Sequence, residues 1–226
     1  MVRLPKSVMA ASHAIRRAEA PAAGIQGGQV PAETSKVVKV AASSEGWPMP
    51  GVVTSVDNST ALRLFMRRDG VLEAWKLWRF REDFLRKHGL TAAPFEDARH
   101  FTSQTAADIA KACRSEGFLR AHVIPLIDEP RCCYRAILTN HAFEALGDIH
   151  TIWTHFLVLE ENDRFAIICD ELFNTISGSH RFVESALGRT SASACTEFLK
   201  DFVDEAMFPE HEKAIFRELV TFYDRT

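Results

Sequence analysis

None of the short motifs that hold phosphates, nucleotides or activated nucleophiles occurs in this sequence. It has no GxxxxGK[ST] loop, no GxGxxG after a strand, no GxSxG elbow and no HExxH helix, which leaves the motif-borne routes to these chemistries without a signature. Long apolar runs are missing too; none approaches the roughly 20 residues of a bilayer-spanning helix. The five cysteines, two of them adjacent at Cys132 and Cys133, form neither an even disulfide framework nor a CxxC pair. Such usage fits a reducing, cytoplasmic compartment and buried, inert thiols. A basic excess is also absent: 27 Lys and Arg stand against 30 Asp and Glu, with a pI near 6.3. That balance lies far from the range expected of a nucleic-acid-binding domain.

What is present is the composition of a globular chain. The 226 residues are 46% hydrophobic and 25% charged, enough for a core that needs neither disulfides nor metals. Charge is unevenly placed. Residues 1–140 carry 20 basic and 14 acidic side chains, whereas residues 141–226 carry 7 and 16. A split of this kind steers a charged partner toward one part of the surface, or simply solvates an acidic helical face. Residues 1–45 are rich in Ala, Ser, Gly and Val and poor in large apolar side chains, so ordering them gains little burial, and a flexible tail is expected. Arg3, Lys6, Arg16 and Arg17 precede the first acid, Glu19, as in an organellar targeting peptide, but without an amphipathic stripe. Residues 46–226 are expected to form a single α+β domain.

The organising segment runs from Ile149 to Gly188. Phe156-Leu157-Val158-Leu159 and Phe165-Ala166-Ile167-Ile168-Cys169 flank the polar turn Glu160-Glu161-Asn162-Asp163, the pattern of a hairpin whose two faces are both covered. Phe118–Ile127 and Cys132–Leu138 read as a second hairpin, with Pro125 placing that strand or its end at an edge. Two hairpins with short connections predict an antiparallel sheet of about four strands. Several helices surround it. Ser59–His88 reads as one long helix, weakened at Gly70 and closed by Gly89. Residues 91–101 read as a loop punctuated by Pro94. Ser103 or Thr105 opens a short helix, and Asn140 caps one of about two turns closed by Gly147. A helical segment capped near Asp170 is interrupted by Gly178 and ends at Gly188; a C-terminal helical pair follows, the last helix beginning at Pro209.

Three sets of residues carry possible function. If Asn162-Asp163 is a two-residue loop, counting outward sets His155 opposite Asp170, and the carboxylate then orients the imidazole and raises its pKa; a four-residue loop instead sets His155 opposite Ile168 and dissolves the pair. His150 and His155, five apart, share a face on neither a helix nor a strand and make no metal site. On the expected long helix, Val71, Ala74, Trp75, Trp78 and Leu85 form one apolar stripe and Leu77, Phe80 and Phe84 a second, with Lys76, Arg79, Arg86 and Lys87 between. One stripe faces the core. The second, with Arg79, is expected to be partly exposed as an interaction surface. The cations of residues 63–87 interleave with aromatics, as in a nucleic-acid surface, but Glu73, Glu82 and Asp83 dilute them.

The expectation is therefore a cytoplasmic, non-enzymatic protein-binding protein that uses Leu77, Phe80, Phe84 and Arg79 toward a protein partner or a second copy of itself. The alternative is a small acid–base hydrolase centred on His155 and Asp170; a third reading is nucleic-acid binding through residues 63–87. No metal, cofactor or membrane association is expected.

Overall fold

The chain is described from a computed structural model, in which residues 52–95, 101–126, 133–149 and 155–225 are defined. The expected tail over residues 1–45 lies outside them, as do Cys132 and His150. In order come β1 (Val53–Ser55), α1 (Asn58–Val71), β2 (Leu72–Ala74), β3 (Trp78–Phe80), α2 (Glu82–His88) and β4 (Thr91–Phe95). Then follow α3 (Ser103–Ser115), β5 (Arg120–Pro125), β6 (Tyr134–Ile137), α4 (Asn140–Ile149), β7 (Phe156–Glu160) and β8 (Phe165–Cys169). The chain closes with β9 (Asn174–Gly178), α5 (His180–Leu187), α6 (Ser191–Glu197), a π-helical stretch Phe198–Asp204 and α7 (Glu210–Asp224). All described residues belong to one compact unit.

The α+β class is as expected, but the sheet is larger than four strands. Seven antiparallel strands run in the order β1-β6-β5-β7-β8-β9-β4, and β2 and β3 form a separate ribbon. The two expected hairpins, β5–β6 and β7–β8, are its middle. Both β7 and β8 are buried at every position, which is why their sequences run apolar without alternation. Val123, Val158, Ile167, Ile176 and Ala93 align across one face, and Ile124, Leu157 and Ile168 across the other. On the first face α5 brings Phe182 within 4.9 Å of the Phe165 ring centroid and 5.3 Å of that of Phe118. α3 and α4 pack on the same layer, with Phe143 meeting Phe101 edge-on. The second face lies beneath α1, the small ribbon and α7, whose Tyr223 is fully enclosed.

Two strands stand where other structure was expected. β4 occupies the start of the expected loop. As an edge strand it bonds through one side only, so Pro94, opposite Thr175, withholds no donor from a neighbour. β9 replaces the first part of the expected helix after Asp170. Gly178 is there for space rather than as a helix breaker: a Cβ on it would sit 2.3 Å from the Phe182 ring. Pro125 ends an interior strand, but β6 pairs only as far as Val123, so its position overhangs that neighbour.

The expected helix Ser59–His88 is two helices separated by the ribbon. α1 passes through Gly70 and stops at Val71; β2 and β3 then pair Leu72 with Phe80, Glu73 with Arg79 and Ala74 with Trp78. The cross-strand match explains the break. Leu72 and Phe80 share the buried side, while Arg79 Nε meets Glu73 Oε1 at 2.7 Å on the other. Pairs of this kind outweigh the modest helix propensity of Leu, Glu, Ala and Lys. α2 then ends, as expected, at Gly89 in the left-handed conformation.

Candidate functional site

The β7–β8 register is that of the first alternative: Phe156 faces Cys169 and Leu159 faces Ala166, which sets His155 opposite Asp170. Four residues, not two, join the strands, but they are centred on Asn162-Asp163. Burial shapes this turn. The Glu160 carboxylate accepts the backbone N–H of Asn162 at 2.9 Å and of Arg164 at 3.2 Å, and an Arg164 guanidinium N–H at 2.9 Å. Burial acts to raise its pKa, and these donors outweigh burial and lower it. Asp163 takes a positive φ of 62°, a conformation Asp tolerates better than most residues.

His155 Nδ1 lies 3.1 Å from Asp170 Oδ2. The ring N–H is not aligned with the carboxylate, so the contact is an ion pair rather than a directed hydrogen bond. Asp170 is buried and anchored: its other oxygen accepts the Leu172 N–H at 3.1 Å, and its own N–H donates to Asn174 Oδ1 at 3.3 Å. Burial acts to lower the His155 pKa, but the Asp170 carboxylate, with Glu171 beyond it, more than offsets this and raises it. The arrangement can hold a proton at Nδ1 of a partly buried ring.

The second expected surface is not a surface. Phe80 is 0% and Phe84 5% exposed, their centroids 6.3 Å apart, with Tyr223 a further 6.4 Å from Phe80. Phe80 also donates its backbone N–H to the Tyr223 hydroxyl at 3.2 Å. Leu77 is half-buried against the same core. The expected stripe needs a helical period, and the chain there forms the β2–β3 ribbon instead. Arg79 is enclosed as well: its guanidinium carbon lies 4.6 Å from the Trp75 and 4.2 Å from the Phe222 ring centroid. Most cations of residues 63–87 other than Lys87 are likewise engaged, Arg67 with Asp163, Lys76 with Glu218, Arg81 with Asp83 and Arg86 with Glu82. A continuous basic helix does not exist.

Large apolar side chains are exposed elsewhere. On α1, Leu62 is 55% and Met66 78% exposed; at i and i+4 they form one ridge. Met66 borders an open cleft of about 480 Å³ between α1 and α2, walled also by Gly70, Phe84, Lys87, His88 and Asp163. Lys87 has no ion-pair partner among the described residues, and the His88 ring lies 5.0 Å from that of Phe84. Sequence reasoning missed this ridge because Met66 was assigned to no stripe. Its helical spacing from Leu62 was the available signal.

The cysteines among the described residues are buried and form no disulfide. Burial pushes the thiols of Cys113 and Cys169 well up and that of Cys195 to about 11, so none of these three is an activated nucleophile. No cluster of three or more His, Cys, Asp or Glu side chains suited to a metal occurs among the described residues, and no helix among them is long and apolar enough to cross a membrane. Comparison of the chain with protein-family models, with curated proteins and with solved structures found no match.

Proposed function

We propose that this is a protein-binding protein whose docking face is the ridge and cleft of α1 and α2. The observation that carries this reading is the pairing of Leu62 and Met66 on one exposed ridge, with Met66 and Lys87, which has no ion-pair partner among the described residues, lining the same cleft. Isolated exposed hydrophobic side chains need no explanation, but two on one helical ridge, of which Met66 borders a cleft, make a patch. Methionine suits such a patch because its unbranched thioether adapts to different contours. Lys87 sets the chemistry of the partner: a short segment with an apolar anchor for the cleft and an acidic residue beside it.

The test is selection of a displayed random peptide library on the wild-type protein and on Met66→Asp and Lys87→Glu. Enriched peptides are expected to combine an apolar and an acidic residue. They should lose about tenfold or more in affinity for either variant, the change that about 1.4 kcal/mol produces, while thermal stability holds. Peptides that bind both variants as well as wild type, or a selection without enrichment, overturn the reading.

A second reading rests on the 3.1 Å contact of His155 with Asp170: an acid–base site in which Asp170 orients and charges the imidazole. Its first requirement is measurable by NMR titration of the ring. Asp170→Asn must lower the His155 pKa, since the carboxylate favours the protonated form. An unchanged curve removes the pair and the catalytic reading with it.

A further inference from the structure

Five charged or titratable side chains from four parts of the fold meet on the second face of the sheet, beneath the last turn of α1. His122, on β5, stands between Arg135 on β6 and Leu159 on β7. It is 8% exposed, and its buried Nδ1 has no hydrogen-bond partner. Glu161, in the β7–β8 turn, places Oε1 3.2 Å from Arg135 Nε without the alignment of a hydrogen bond. From above comes Arg67. Its Nε and Nη2 donate to Asp163 Oδ1 at 3.0 and 2.5 Å, and Nη2 donates to the carbonyls of Glu161 at 2.8 Å and Glu160 at 3.2 Å. One guanidinium thus fastens the end of α1 to one turn of the sheet.

The cluster balances only while the imidazole is neutral. Arg67 and Arg135 are matched by Asp163 and Glu161, so a proton on His122 adds a third cation with no third carboxylate. That largely buried cation would lie within the field of the Arg67 and Arg135 charges, an arrangement whose cost is relieved by parting the elements that enclose it. β5, β6 and β7 are joined by ladder hydrogen bonds; α1 is joined here through side chains, so α1 is the element free to part.

We propose that these residues form a proton-operated clasp: neutral His122 lets Arg67 hold α1 on the β7–β8 turn, and protonated His122 draws Glu161 toward itself and releases α1. Burial first, and the Arg67 charge second, hold the His122 pKa below the ordinary imidazole range, so the clasp is shut at neutral pH and opens in acid. Release uncovers the buried side of α1, Ala61 and Leu64, and removes Arg67 from the cleft wall. The clasp does not depend on what the cleft binds.

The experiment is hydrogen exchange of the α1 amides, with α3 as reference, from about pH 7.5 to pH 4.5 after correction for intrinsic exchange. It uses wild type and His122→Gln, together with NMR titration of the His122 ring. In wild type, α1 should lose about tenfold in protection relative to α3, with a midpoint coinciding with the ring titration, while His122→Gln shows no such step. Three results overturn the clasp. One is α1 protection that stays level while the ring titrates. Another is α3 losing protection in step with α1, which is general destabilisation. The third is an acid step retained in His122→Gln, which assigns it to the carboxylates. The coincidence of midpoints in wild type decides the matter even if the variant does not fold.

Discussion

Replacing Phe80 with Ala separates a core position from an interaction surface in one measurement. The ring is fully enclosed by Leu72 across the ribbon and by the rings of Phe84 and Tyr223. Its removal forfeits the transfer of a large aromatic group and leaves a cavity that β3, fixed by its ladder to β2, cannot close. Phe→Ala changes at such sites cost about 3–5 kcal/mol. In a domain of this size each kcal/mol moves the melting temperature by about 2–4 °C, so a fall of about 10 °C is expected. Urea unfolding followed by both circular dichroism and tryptophan fluorescence measures the cost directly, as a lower midpoint at unchanged slope. Phe80→Leu, which keeps much of the volume, should cost less than about 1.5 kcal/mol. The reasoning fails if Phe80→Ala costs below about 1 kcal/mol and instead reduces self-association; the side chain would then be a surface anchor after all.

Gly178→Ala should destabilise by about 1–3 kcal/mol through overpacking, because the new methyl group meets the buried Phe182 ring at 2.3 Å; a neutral or stabilising effect in urea unfolding would show that α5 shifts freely. The His155–Asp170 pair should also appear in the pH dependence of stability. Its folded pKa is raised, so its contribution is complete below the ordinary imidazole value of about 6.5 and is lost as pH rises through the folded value. Asp170→Asn should therefore flatten the stability profile on that alkaline side, and an unchanged profile would mean the pair carries no linkage. His122 has the opposite sign: its folded pKa is lowered, so its contribution is present above about 6.5 and is lost as pH falls toward the folded value. His122→Gln should remove that acid-side loss, and an unchanged acid limb in urea titrations would contradict it.

The central hairpin and the glycine ends of several helices were legible in the sequence because the physics behind them is local, whereas the N-caps fall at other residues, Asp57, Thr102 and Thr190. β7 and β8 announce themselves as two apolar runs around a polar turn; the sequence leaves two registers open, and the ladder adopts the one that sets His155 against Asp170. Gly89 and Gly188 mark helix ends because a left-handed residue is needed there, and the α+β class follows from hairpins mixed with helical segments.

What the sequence could not convey was every feature whose cause lies in a distant partner. Residues 72–80 carry an acceptable helical pattern, and only the pairing of Leu72 with Phe80 over a core supplied by Tyr223 turns them into a ribbon. β4 and β9 are strands because each completes the other at the edge of the sheet, not because either sequence is a strong strand former. Arg67, His122, Arg135, Glu161 and Asp163 are spread over almost a hundred positions, each an ordinary surface residue when read alone. Burial on folding brings them together, and burial makes a proton there costly; both are properties of the assembled sheet and helix, which no local spacing encodes.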